Sequence, residues 1–110
     1  MAVLGSTRVY GNLTVSGEAR ADNFITTSSI EYKENVSGLN TFDCLKTVQM
    51  LNPVEFNWKE SGEHDHGLIA QEVQAIAPYM ATDEGVNYSK LVVYLIGAVQ
   101  ELKKEIDELK

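Results

Sequence analysis

The last turns of the chain carry an apolar seam at 3-4 spacing: Val92, Leu95, Val99, Leu102, Ile106 and Leu109. Over three heptads that spacing places branched aliphatic side chains along one stripe of a helix. Between them lie Gln100, Glu101, Lys103, Lys104, Glu105, Asp107 and Glu108, residues that suit water and predict no second core beneath this stretch. Burying each seam residue is worth roughly 1.5–3 kcal/mol, and copies of the same helix are the partner that can collect it. The helix is expected from Tyr88 to the C-terminus. Its first half, with Leu91, Val93, Tyr94, Leu95 and Ile96, is apolar nearly all round and should also pack on the residues upstream.

Two further zones precede it. Residues 28–87 have a globular composition. Asn40 or Thr41 can cap a helix with Asp43 in its first turn, an inner face of Phe42, Leu45, Val48 and Leu51, and a stop at Asn52-Pro53. Val54, Phe56 and Trp58 alternate with Glu55, Asn57 and Lys59 as in a half-buried strand. A turn-prone stretch follows from Glu60 to His66. Gly67 to Ala77 then reads as a second helix with Ile69, Val73 and Ile76 inward, halted by Pro78. In residues 1–27, Arg8-Val-Tyr-Gly and Asn12-Leu-Thr-Val-Ser-Gly alternate at period two and close on glycine, and Phe24-Ile25-Thr26-Thr27 is β-prone. Such short pieces build no core within one chain; they suit strands wound with neighbours in a fibrous β-structure.

The 110 residues bound the chain to one domain or two small units. A net charge of -7 argues against nucleic acid or an anionic membrane as partner. No apolar run reaches the length of a membrane span, and the opening residues lack the basic-then-apolar pattern of a secretory signal. Cys44 is the sole cysteine, which excludes an intrachain disulfide and fits synthesis in a reducing compartment.

Four segments, in order, resemble a known family: Ser28-Ser29-Ile30-Glu31-Tyr32-Lys33-Glu34-Asn35-Val36, Leu51-Asn52-Pro53-Val54-Glu55-Phe56-Asn57-Trp58, Gly67-Leu68-Ile69-Ala70-Gln71-Glu72-Val73 and Val86-Asn87-Tyr88-Ser89-Lys90-Leu91. The family is the C-terminal intramolecular chaperone domain of phage tailspikes and tail fibres, of the endosialidase type. The resemblance covers residues 28–110, with the coiled coil at 88–110, and residues 1–27 look like the end of the β-rich stalk that precedes such domains. It implies a small α+β domain with a long C-terminal helix in a trimeric coiled coil. The partners implied are two further copies, as a homotrimer, and the upstream stalk of the same chain; no cofactor and no metal is implied. Such a protein would be made in the bacterial host cytoplasm and reside in the virion. The chaperone would hold three stalks in register while they fold. In many members the domain then cuts itself away, a serine acting as nucleophile and a lysine five residues later as base. Carried over, these are Ser28 and Lys33, with the scissile bond next to Ser28.

The chemistry sets two conditions. An ordinary lysine is only about one part in 2,500 neutral at pH 7, and lowering its pKa to near 7 needs about 4 kcal/mol of interaction with the site. Desolvation in a trimer interface could supply it. Residues five apart face opposite sides of a strand and lie about 140° apart on a helix, so a bend, or a lysine from a neighbouring chain, must bring Lys33 to Ser28. Glu31 stands where members often carry arginine, and a carboxylate close to Lys33 would favour the charged amine. Self-cleavage and a bland polar linker between stalk and chaperone therefore both stand as readings of Ser28 and Lys33.

Other candidates are weaker. His64 and His66 could share a metal on an extended segment, but no convincing third or fourth ligand adjoins them, so Glu63-His64-Asp65-His66 reads as a polar surface turn. Cys44, Phe56 and Trp58 read as core. Gln71 and Glu72 fall on a solvated helix edge, and Tyr88 reads as an anchor for the long helix. β-Branched residues at a with leucine at d favour two strands in a parallel coiled coil, whereas the resemblance implies three; three is adopted, because three heptads are short beside an interwoven stalk. Alternatives to a self-releasing chaperone are an uncleaved structural trimerisation unit or a receptor-binding fibre tip. A eukaryotic membrane-bound transcription factor carrying the same module is disfavoured by the stalk-like N-terminus and the lack of a basic region.

Overall fold

The computed structural model describes residues 5–110, so the first four positions of the 1–27 stalk expectation lie outside the described residues. The chain divides into two compact units, one ending at Val36 and one spanning Ser37–Lys110.

In the first unit the described residues are exposed throughout, and none between 5 and 36 forms a strand. The short strands expected at Arg8–Gly11, Asn12–Gly17 and Phe24–Thr27 are therefore not formed within the single chain. The physical reason is simple: a strand is a ladder, and an isolated extended segment has no neighbouring backbone to pair with. Among the described residues of this unit the one regular element is a 3-10 turn, Ile30–Tyr32.

The second unit is a small mixed domain: α1 (Thr41–Met50), a two-stranded antiparallel hairpin of β1 (Val54–Asn57) and β2 (His64–Gly67), α2 (Ala70–Ile76), a 3-10 turn at Pro78–Met80, and α3 (Tyr88–Glu108). Asn40 caps α1, its side chain accepting from the Asp43 amide at 3.0 Å, and Asn87 caps α3 by accepting from Lys90. The hairpin register pairs Val54 with Gly67, Glu55 with His66, Phe56 with Asp65 and Asn57 with His64. The residues from His64 to Gly67, expected in a turn and at the head of a helix, are thus a strand. Their polar side chains are almost all exposed, so no apolar alternation marks them. Gly67 belongs to that strand, and α2 starts at Ala70.

One core cluster joins Val73, Ala77 and Met80 with half-buried Leu51, Leu68, Ile76, Leu91 and Tyr94. Beside it, α1 lies antiparallel along α3, with Cys44 against Gly97 and Thr41 against Glu101. A Cβ on Gly97 would stand 2.6 Å from the Cys44 sulfur, so the close approach of the two helices depends on that glycine. The inner face of α1 therefore centres on Cys44 and Leu45, while Phe42 is half exposed; the expected placement of Phe42 gives way because the small pair draws the helices together on the Cys44 side. Glu101, expected in water, is only 5% exposed. Thr41 Oγ1 donates to its carboxylate at 2.8 Å, and the N-terminal dipole of α1 favours a negative charge there.

Tyr88 ties the start of α3 to the hairpin. Its hydroxyl accepts from the Leu68 amide at 3.0 Å, and a side chain at Gly67 would collide with it, since a Cβ there would lie 2.9 Å away. No helix among the described residues is long and apolar enough to cross a membrane.

Candidate functional site

Ser28 and Lys33 meet within one chain. Ser29 and Lys33 are extended, and between them Ile30–Tyr32 make a single 3-10 turn. Tyr32 N donates to Ser29 O and Lys33 N to Ile30 O, while the Ser29 hydroxyl caps the turn by accepting from the Glu31 amide. Three residues at the tight 3-10 pitch reverse the chain enough for a spacing of five to close. Lys33 Nζ donates to Ser28 Oγ at 2.6 Å. Two residues further on, Asn35 takes a left-handed backbone, φ 54°, a conformation asparagine tolerates better than most residues. Glu31, whose carboxylate could have held the lysine charged, does not pair with it: among the described residues no carboxylate forms an ion pair with Lys33. Both members of the pair are exposed in the single chain.

The seam of α3 is the second feature. Val92, Leu95, Val99, Leu102, Ile106 and Leu109 are all exposed, because α1 covers the neighbouring face at Gly97, Ala98 and Glu101. Ile96 widens the bare stripe, and Lys103 Nζ pairs with Asp107 at 2.6 Å alongside it.

Of the remaining candidates, Cys44 is fully buried; burial, with Asp43 nearby, pushes its thiol pKa up and keeps it protonated and inert. Phe56 and Trp58 meet edge to face with centroids 5.0 Å apart, yet Trp58 is 53% exposed and is not core. Its indole donates to Asp65, whose carboxyl is held below the usual range, first by the His66 amide and then by Trp58. Both aromatics line a cleft of about 590 Å³ closed by α2 and residues 83–86. Gln71 is bound within the chain, donating to Asp83 O at 2.8 Å. The hairpin brings Glu55 against His64 and His66, a neighbour that the local sequence around the histidines did not reveal. The only sequence signal for it is the cross-strand register, which places Glu55 directly opposite His66.

Residues 28–82, half of the chain, match the family described as chaperone of endosialidase. The chain belongs to that family, which is linked to trimeric phage tail proteins. It is also similar to Myelin regulatory factor homolog 1 of Caenorhabditis elegans, 29% identical over 118 aligned positions. The match takes in 87% of the chain but spans about 13% of that relative's length.

Proposed function

We propose that the chain is an intramolecular chaperone that associates as a homotrimer through α3, aligns three upstream stalks of a phage tail fibre or tailspike, and then releases itself by cleavage next to Ser28. The observation that carries the catalytic part is the Ser28 Oγ to Lys33 Nζ contact at 2.6 Å. In its neutral form the lysine accepts the hydroxyl proton as Oγ attacks the adjacent carbonyl carbon. The amide nitrogen then leaves as an amine, taking a proton, and water hydrolyses the ester so formed. The pair is open to water in the single chain; neighbouring copies packing around the bend would strip that water and favour the neutral amine. Cleavage would thus wait for assembly. The bare α3 seam and the family's link to trimeric tail proteins support the association.

The test is intact mass of the expressed full-length chain. Wild type is expected as two pieces of about 27 and 83 residues, the two sides of Ser28 in a 110-residue chain. Ser28→Ala and Lys33→Met are each expected to give one uncut species. An uncut wild type that assembles as a trimer would instead favour a retained structural tip, a reading to which the half-exposed Trp58 in its cleft lends some surface chemistry.

A further inference from the structure

The hairpin places three donor side chains of metal-ligand type on one outer face. Strand alternation sends His64 and His66 to the same side of β2 and Asp65 to the other. The antiparallel register sets Glu55 directly opposite His66 and Asn57 opposite His64, on that same face. Glu55 Oε1 lies 3.0 Å from His64 Nε2 and 3.6 Å from His66 Nε2. The two imidazole rings stand nearly perpendicular, with centroids 5.3 Å apart, and one ligand atom from each residue falls within 4.8 Å of the other two.

We propose that Glu55 Oε1, His64 Nε2 and His66 Nε2 form a binding site for a zinc ion, with water completing its coordination. Two donors bound to one zinc at about 2.0–2.1 Å in a tetrahedron stand about 3.3–3.4 Å apart, and the separations of 3.0 and 3.6 Å bracket that value. Two imidazoles and one carboxylate are a donor set zinc accepts, and three protein ligands leave one position for solvent.

The surroundings orient the ligands as well. Asn57 Nδ2 donates to Gly62 O at 2.9 Å, which turns its Oδ1 toward His64 Nδ1, 3.5 Å away. With zinc on Nε2 the proton of a neutral His64 would sit on Nδ1, where Asn57 Oδ1 is the acceptor, the outer-shell arrangement that fixes a ligating histidine. The ion would clip β1 to β2, two short strands whose outer face carries no apolar contact to hold them.

The experiment is calorimetric titration of the untagged full-length chain with zinc chloride in a buffer that does not chelate metal, beside the same titration of variants. Wild type is expected to bind one zinc per chain. Glu55→Gln, His64→Ala and His66→Ala should each weaken binding about tenfold or more, and Asn57→Ala, which touches only the outer shell, by about tenfold. The four positions are exposed, so circular dichroism should show each variant folded, and at one fixed zinc concentration the melting temperature should rise more in wild type than in any variant. No saturable binding by wild type would overturn the site. So would undiminished binding by the His64→Ala/His66→Ala double variant, or a stoichiometry of one ion per three chains.

Discussion

Truncating one layer of the α3 seam tests the association directly. Leu102 is 46% exposed in the single chain, so roughly half of its side chain remains to be covered. Full burial of a leucine is worth about 1.5–3 kcal/mol; covering the remainder gives about 0.7–1.4 kcal/mol per chain and about 2–4 kcal/mol for a three-chain layer. Leu102→Ala removes most of that and leaves a gap that neighbouring side chains fill only in part. The trimer association constant should therefore fall about 30- to 1,000-fold, at 1.4 kcal/mol per factor of ten. Sedimentation equilibrium over a concentration series reads this, with Lys104→Ala, outside the a and d positions of the same helix, as control. Equal association of wild type and both variants would refute the reasoning, since the seam would then be covered by something other than copies of itself.

Gly97→Ala should destabilise the fold although alanine is the better helix former by about 1 kcal/mol. Its Cβ would stand 2.6 Å from the sulfur and 2.9 Å from the Cβ of a fully buried Cys44, and overpacking of this kind costs about 1–3 kcal/mol; Cys44→Ala in the same chain should restore part of the loss, and a raised urea midpoint for Gly97→Ala alone would refute the close-packing argument. Acid titration followed by Trp58 fluorescence should show a midpoint below that of an ordinary aspartate, because the Asp65 carboxyl is held down by the His66 amide first and the Trp58 indole second. The sign follows from the depressed pKa: the stability that Asp65 adds is present above its unfolded pKa and lost as pH falls through its folded one. The advantage of wild type over Asp65→Asn should shrink over that window, and an advantage unchanged by acid would contradict it. Co-expressed Ser28→Ala and Lys33→Met chains should remain uncut, since the hydrogen-bonded pair lies within one chain; cleavage in the mixture would mean that the lysine acts across chains.

Much of the second unit is legible in the sequence because its strongest signals are local. The α3 stripe repeats often enough to identify a helix and its bare face, and Asn40 with Asp43 marks the start of α1 by capping and dipole alone. The errors come from contacts between distant residues. Periodicity ranks residues by apolarity and size and so puts Phe42 on the inner face of α1, whereas the helix pair closes where the side chains are smallest, at Cys44 and Gly97. The same closure buries Glu101, whose charge looked solvated until Thr41 met it from another helix. Strand β2 was hidden because neither face is buried, so pairing alone defines it. The Ser28–Lys33 pair comes from the family resemblance and not from periodicity: a spacing of five fits neither the strand nor the helix period, and the three-residue turn that closes it leaves no pattern. Glu55 stands nine residues from His64 and becomes its neighbour only through hairpin register.

In the proposed function, assembly switches on cleavage at Ser28. Separating freshly folded wild-type chain into monomer and trimer by size and taking the intact mass of each fraction tests it most directly. Pieces of about 27 and 83 residues are expected from the trimer, and uncut chain alone from the monomer. Cut chain that has never left the monomer fraction, or trimer that stays whole on prolonged incubation, would contradict it.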